Sequence, residues 1–288
     1  AEISVLYITL SVICAIAFIS SGLTFFDSVV HAMTTIATGG FSSKSGSIGS
    51  YNNVNLEALT ILFMILASLP FVLYLKAIRG KPKDLIGDQQ VQGFFKILVV
   101  SILIVVFYLF LTSNFTFTEI LRYSLFNVTS ILTGTGFTST NYNDWGTPII
   151  LLFLFITFIG GCAGSTTCGV KIFRLQIVFN NSKEMISKLI SPNRVVNKRY
   201  NGEHLSPEIT QSVITFLFIF ILTFIVLSIL LSFTGLDLLT AFSAAATSIS
   251  NVGPGLGQVI GPAYSFSQIP EIAKWLLSFG MLAGRLEF

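Results

Sequence analysis

Three short stretches of the chain decide its fold: Ile36-Ala37-Thr38-Gly39-Gly40-Phe41-Ser42, Thr133-Gly134-Thr135-Gly136-Phe137-Thr138-Ser139 and Ser250-Asn251-Val252-Gly253-Pro254-Gly255. Each contains a Thr or Val followed by Gly, and each follows an apolar segment too short to cross the roughly 30 Å of hydrocarbon in a bilayer. In the first stretch two glycines compete for the equivalent position, and we choose Gly39 because it keeps the Thr-Gly pair. The pattern predicts one motif used three times.

The segments around these turns recur in a fixed order of long helix, half-length helix, turn and long helix. The copies occupy 3–22, 24–37 and 55–79, then 94–113, 117–133 and 147–190, then 209–233, 235–250 and 270–288. Each half-helix has an acidic residue near its start, which suits a helix N-terminus: Asp27, Glu119 and Asp237. Because internal repeats set an architecture, we predict an all-α polytopic protein made of these units.

The composition places these helices in a membrane. Hydrophobic residues make up 53% of the 288 residues and charged residues only 10%, whereas a soluble globule carries about 25% charged residues. A soluble domain is therefore excluded. The three cysteines are an odd number without framework spacing, which argues against a disulfide scaffold.

The basic residues report orientation. Five of the sixteen Lys and Arg residues lie in 76–96 and seven lie in 171–208. The positive-inside rule therefore places 76–96 and most of 174–208 in the cytoplasm. These basic runs have two explanations: they reflect membrane topology alone, or they also form a docking surface for a cytosolic protein. We expect the segments between them to lie outside, including 40–55, 112–118, 138–147 and 255–271.

The repeats and loops divide the chain into five parts. We predict repeats at 1–80, 94–190 and 209–288, joined by cytoplasmic loops at 81–93 and 191–208. The chain begins with Ala1 rather than Met, and its last apolar helix has no basic flank after Phe288. We therefore expect a fragment of a longer protein.

The turns have a physical reason to follow half-helices. Extended backbone at membrane depth leaves carbonyls without partners, so it survives only inside protein or against a water-filled path. Free carbonyls can replace the hydration shell of a cation, and the half-helix C-terminus adds partial negative charge at the same place. The sequence thus indicates a cation pathway; glycine-rich loops outside the membrane are the alternative.

Two further features lie in the apolar segments. The run Gly160-Gly161-Cys162-Ala163-Gly164-Ser165-Thr166-Thr167-Cys168-Gly169 interrupts a segment too long for one span, which predicts an intramembrane loop below the turns; close helix packing through small residues is the alternative. Arg285 follows Glu271 by roughly 21 Å of helix. A charge at that depth predicts a pore-facing residue, unless the side chain snorkels to the inner interface.

With these motifs, and with Gly284-Arg285-Leu286-Glu287, Ser191-Pro192-Asn193-Arg194 and Asn201-Gly202, the chain resembles the Trk/Ktr/HKT superfamily of potassium transporters, most of all its TrkH branch. That family has four helix–pore helix–helix repeats around a pseudo-fourfold ion pore. The three repeats here correspond to its second, third and fourth, so the missing one is expected before Ala1. Cys168 departs from the pattern, since the family tends to have Gly there.

The resemblance implies potassium uptake across the bacterial inner membrane. It assigns ion-binding backbone to Ala37, Thr38, Gly39, Gly134, Thr135, Gly136, Asn251, Val252 and Gly253. It assigns a gate to Gly160, Gly161, Gly164, Ser165, Thr166, Thr167 and Gly169, to which we add Arg285. The partners it implies are the lipid bilayer, a second copy of the protein and a cytosolic nucleotide-binding subunit resembling TrkA, with potassium as substrate and neither an organic cofactor nor nucleic acid.

Other classes of function fit less well. An ion-coupled secondary transporter of another solute predicts inverted repeats and paired intramembrane carboxylates, whereas these repeats run in one orientation. An enzyme needs a nucleophile–base or metal constellation, which two His and three dispersed Cys do not supply. We expect His31 to serve packing or hydrogen bonding, Cys162 and Cys168 to be inert, and Trp145 and Trp275 to anchor the interfaces.

Overall fold

The computed structural model describes residues 2–191 and 199–286 and is built almost entirely of helices. The first repeat contains α1 (Glu2–Ser20), α2 (Phe25–Ile36), α3 (Val54–Ala67) and α4 (Phe71–Ile78), followed by α5 (Lys83–Gly87). The second contains α6 (Gln89–Thr112), α7 (Phe117–Leu132), α8 (Thr147–Phe158) and α9 (Ile172–Ile190). The third contains α10 (Pro207–Ser232), α11 (Leu238–Ser250) and α12 (Glu271–Leu286).

Between α9 and α10, the strands β1 (Arg199–Tyr200) and β2 (Glu203–His204) form a small antiparallel pair. The hydrogen bond from Asn201 Nδ2 to Asp88 Oδ2, 2.8 Å long, ties this hairpin to the start of α6. The predicted motif Ser191-Pro192-Asn193-Arg194 lies mostly outside the described residues, as do Ala1, Glu287 and Phe288.

Long apolar helices span the bilayer. Within the described parts of the chain, α1, α6 and α10 are long and apolar enough to cross a membrane, and the α3–α4 pair makes a fourth if it counts as one span. The predicted single helix over 55–79 was wrong, because α3 and α4 meet at an angle of 91°. Pro70 stands at the break, where it cannot donate the hydrogen bond that a continuous helix needs.

The half-helices α2, α7 and α11 begin, as predicted, with an acidic residue in the first turn or at the N-cap. The Thr24 hydroxyl accepts from Asp27 N at 3.2 Å, and Thr116 and Glu119 form a reciprocal capping box. Asp237 itself caps α11 by accepting from Thr240 N at 3.2 Å. Hydrogen bonding with Thr240 lowers the pKa of Asp237, so the cap keeps its negative charge at the helix N-terminus.

The buried apolar side chains form three cores, each centred on one repeat and each including residues from a neighbouring repeat. Phe126 and Phe137 of the second repeat pack into the core that α1, α2 and α3 form. Trp145 is buried against Tyr142 and Phe153. The prediction of an interfacial anchor at Trp145 was therefore wrong, because its indole fills the core of the second repeat; Trp275, 75% exposed, stays a predicted anchor.

Candidate functional site

The three turns after α2, α7 and α11, which we call the filter turns, share one hydrogen-bond register. Thr34 O accepts from Gly39 N at 2.7 Å and from Gly40 N at 3.4 Å. In the second repeat, Ser130 O accepts from Thr135 N at 3.0 Å and Gly136 N at 3.2 Å. These pairs align the second glycine of the first turn, not the first, with Gly136.

The third turn follows the same register. Thr247 O accepts from Val252 N at 3.1 Å, and Thr247 Oγ1 accepts from Gly253 N at 2.9 Å. Gly40, Gly136 and Gly253 are therefore equivalent, and the choice of Gly39 was wrong. The Thr38-Gly39 pair suggested the wrong glycine. The equivalent position is set by the number of residues between the glycine and the half-helix carbonyl that accepts from the turn.

Backbone torsions confirm this alignment. Gly40, Gly136 and Gly253 have φ values of 66°, 81° and 112°, in the region that favours glycine. Two residues earlier, Thr38, Gly134 and Asn251 also have positive φ, at 49°, 68° and 53°. The first turn thus holds a threonine in a strained left-handed conformation where the other two have Gly or Asn.

The register also fixes where the carbonyls point. In a planar trans peptide the C=O group points opposite to the N–H group of the next residue. Because the N–H groups of Gly39 and Thr135 point back at their half-helices, the carbonyls of Thr38 and Gly134 point away from them. These oxygens are therefore available to a ligand outside the half-helix.

Neighbouring turns are in direct contact. A Cβ added at Gly40 would overlap the carbonyl oxygen of Thr135, and one added at Gly136 would overlap that of Val252. Only a glycine permits this approach. The three turns therefore form a continuous arc of backbone, as a shared pathway requires.

The interrupted segment forms the predicted loop at residues 159–171, between α8 and α9, which we call the intramembrane loop. It closes on itself, since Gly160 N donates to Val170 O and Val170 N donates to Phe158 O, both at 2.9 Å. A Cβ on Gly160 would overlap the Cys168 carbonyl. The alternative of an unbroken helix packed through small residues is thereby excluded.

The intramembrane loop fits into the bend between α3 and α4. Cys162 N donates to Ser68 O at 3.0 Å, and Phe71 N donates to Gly164 O at 3.0 Å. Two interruptions in different repeats thus satisfy each other's backbone groups, as structure inside a membrane requires.

Arg285 reaches the same loop from the third repeat. Its Nη1 lies 2.7 Å from Cys168 Sγ and 3.3 Å from Thr166 O. One helical turn earlier on α12, Met281 O accepts from Asn251 Nδ2 of the filter turn at 3.1 Å. The structure therefore brings Arg285 into contact with the intramembrane loop, and the same helix contacts the third filter turn. Cys168, which we expected to be inert, takes part in this contact.

A buried ion pair between repeats was not predicted from the sequence. Arg122 Nε and Nη2 each donate to a carboxylate oxygen of Glu57 at 2.7 Å, and the Glu57 residue is only 1% exposed. The pair joins α3 to the half-helix α7. The sequence signal for this pair was the presence of two opposite charges in apolar segments. Because 65 residues separate the two charges, no local sequence pattern identifies them as partners.

His31 makes the hydrogen bonds that the sequence analysis predicted. Its Nδ1 lies 2.7 Å from Asp27 O and its Nε2 lies 2.9 Å from Ser42 Oγ. Among the described residues, no group of three His, Cys, Asp or Glu residues is placed to hold a metal ion.

The family described as TrkH, a cation transport protein, matches residues 2–288. This chain belongs to the TrkH family. The helical membrane fold and the transporter class predicted above agree with this family, whose members are transporters rather than enzymes.

Named relatives agree with the TrkH assignment. The chain is 43% identical over 283 residues to the Trk system potassium uptake protein TrkI of Halomonas elongata, covering 98% of this chain and 57% of that protein. It is 35% identical over 288 residues to the Trk system potassium uptake protein TrkH of Vibrio parahaemolyticus, covering 98% and 58%.

A solved structure shares the fold. The crystal structure of the potassium transporter TrkH from Vibrio parahaemolyticus superposes with a TM-score of 0.94 at 33% identity, over 99% of this chain and 61% of that one. The predicted fold class is therefore confirmed. The chain spans about three fifths of the length of these relatives.

Proposed function

We propose that the protein containing this chain takes up potassium across the cytoplasmic membrane of a bacterium. The observation that carries the proposal is the arc of three filter turns, each with a carbonyl directed away from its half-helix. Such carbonyls suit a dehydrated monovalent cation. The names of the relatives, potassium uptake proteins of the Trk system, point to potassium as that cation.

The proposed ion-binding backbone follows the corrected register. It comprises Thr38, Gly39 and Gly40 in the first turn, and Ala37 is left out because Gly40, not Gly39, is equivalent to Gly136 and Gly253. The other turns keep the predicted residues: Gly134, Thr135, Gly136, Asn251, Val252 and Gly253. In this assignment, potassium is the substrate and its ligands are main-chain oxygens.

We assign the gate to the intramembrane loop and Arg285. The loop residues are Gly160, Gly161, Gly164, Ser165, Thr166, Thr167 and Gly169. The contact of the Arg285 guanidinium with Thr166 O and Cys168 Sγ supports a closed state in which a fixed positive charge opposes cations below the filter turns.

The assembly proposed for this protein is a homodimer in the lipid bilayer with a cytosolic nucleotide-binding subunit of the TrkA kind. The resemblance to the family supports the dimer and the subunit. The basic residues of 76–96 and 171–208 support a cytoplasmic surface on which an acidic partner can dock.

Uptake of potassium, rubidium and sodium by the complete protein in cells that lack potassium uptake tests this function. We expect growth at low potassium and uptake in which the KM for potassium is lower than that for sodium. Normal membrane abundance without uptake of any of the three cations would overturn the proposal. It would favour transport of another solute.

A further inference from the structure

The half-helices carry polar side chains that hold the backbone leaving each filter turn. In the second repeat, Ser130 Oγ donates to Phe137 O at 2.6 Å. Its own carbonyl accepts from Thr135 N and Gly136 N. Ser130 is fully buried. Its hydroxyl and its carbonyl together bind both ends of the turn.

Asn127 adds a second contact one helical turn before Ser130. Its Nδ2 donates to Ser139 Oγ at 2.8 Å, and Ser139 N donates to its Oδ1 at 3.2 Å. Asn127 is also fully buried, and its Nδ2 completes the network by donating to Tyr123 O at 2.9 Å. A buried polar network with its groups satisfied holds one geometry.

The first repeat places different residues in the same two positions. Thr34 Oγ1 lies within hydrogen-bond distance of three carbonyls, and the shortest contact is to Phe41 O at 2.9 Å. His31 stands three residues before Thr34, as Asn127 stands before Ser130. Its Nε2 reaches Ser42 Oγ at 2.9 Å.

The third repeat uses a related pair. Thr247 Oγ1 accepts from Gly253 N at 2.9 Å, and Ser243 Oγ accepts from Leu256 N at 3.0 Å. Both residues are buried. In every repeat, then, one hydroxyl holds the turn and a second polar residue, three or four positions earlier, holds the chain beyond it.

We infer that Ser130 and Asn127, with Thr34 and His31 and with Thr247 and Ser243, are positioning residues for ion selectivity. They touch no ion; they fix the carbonyls that do. This inference rests on the proposed function. A ring of carbonyls discriminates between cations by the number and field strength of its oxygen ligands. A turn that is held less firmly should therefore be less selective for potassium over sodium.

The test compares variants of the same half-helix in the complete protein. Ser130→Ala and Asn127→Ala remove the two contacts. Thr129→Val and Ser124→Ala are matched controls, because both hydroxyls are buried and have no hydrogen-bond partner among the described residues. The readouts are the KM and Vmax for potassium and for sodium, at measured membrane abundance.

We expect the two positioning variants to lower the ratio of sodium KM to potassium KM roughly two- to tenfold, the effect of losing one net hydrogen bond. The controls should leave that ratio unchanged. Ser130→Thr and Asn127→His, which install the residues of the first repeat, should preserve it. An unchanged ratio in both alanine variants, or an equal change in the controls, would overturn the inference.

Ser130→Cys keeps the shape of the side chain and weakens its donor, so it decides the question if the alanine variants are absent from the membrane. A lowered ratio in this variant supports the inference and an unchanged ratio contradicts it. Absence of potassium uptake by the unmodified protein would instead be the failure of the proposed function.

Discussion

The filter turns and the intramembrane loop both leave helical structure at membrane depth, but they are held differently. Each filter turn is fastened to its own half-helix, as Ser130 O accepts from Thr135 N and Gly136 N. The loop closes on itself but is also fastened to other repeats, through Ser68 O in the α3–α4 bend and Arg285 on α12. A locally held segment keeps its shape while repeats shift, whereas one held between repeats responds to that shift.

The largest expected effect comes from breaking the arc of filter turns. Gly136→Ala places a Cβ on the Val252 carbonyl oxygen and forces alanine into a positive φ. Because the overlapping atom is backbone, we expect potassium uptake to fall at least about tenfold, with an energetic cost of about 1–2 kcal/mol from the torsion alone. Uptake assays at measured membrane abundance check this.

Gly87→Ala is the matched control for that change, because nothing lies within 4 Å of its added Cβ and its φ is not positive. Its uptake should equal that of the unmodified protein. Equal uptake by Gly136→Ala would contradict the close approach of the second and third turns.

The second effect concerns a contact between repeats on the filter side. Glu57→Gln leaves the Arg122 guanidinium without its buried counter-charge, which costs about 3–5 kcal/mol when one partner of such a pair is removed. We expect a lower thermal unfolding temperature in the purified, detergent-solubilised protein.

The exposed pair of Arg79 and Glu2 supplies the control, since both side chains are more than half exposed. Glu2→Gln should change stability by about 0–1 kcal/mol. If Glu57→Gln were as mild as Glu2→Gln, α3 and α7 would be held together by apolar packing alone.

A third effect separates the loop from the turns. Arg285→Ala removes two contacts of the loop and the positive charge beside it. We expect potassium uptake to rise roughly two- to tenfold while the ratio of sodium KM to potassium KM stays unchanged. Lys274→Ala on the same helix, whose partner Glu271 is exposed at 3.6 Å, is the control. Reduced uptake by Arg285→Ala would count against a gating role.

The smallest effect is expected at Cys168. Cys168→Gly deletes the contact of its Sγ with Arg285 but leaves the bond of Arg285 to Thr166 O. Uptake should rise by less than about threefold, a fraction of one net hydrogen bond. In the Arg285→Ala background the same change should have no effect, because the two residues act through one contact. Additive effects would show that they act separately.

The sequence predicted what is determined locally. Half-helices with acidic first turns, polar glycine-bearing turns and the break after Phe158 are visible in composition and spacing. The choice between Gly39 and Gly40 was not, since it depends on which carbonyl of α2 accepts from the turn. Pro70 could have indicated the α3–α4 bend, because proline interrupts helical hydrogen bonding.

Features that depend on tertiary packing could not be predicted. Trp145 has the sequence context of an interfacial anchor, yet it fills a space defined by Tyr142 and Phe153. Glu57 and Arg122 are paired only because α3 packs on α7. Apolar periodicity shows that a residue lies in a membrane segment but does not identify its neighbour.

The joint between the intramembrane loop and the α3–α4 bend has an evolutionary consequence. Cys162 N meets Ser68 O and Phe71 N meets Gly164 O, so main-chain atoms of both segments make these bonds. Substitutions at these positions therefore leave the hydrogen bonds intact. A one-residue insertion in either segment would shift the register, so that the donors and acceptors no longer meet. Among divergent descendants of this sequence, the spacing of the two segments should therefore outlast the identity of their residues.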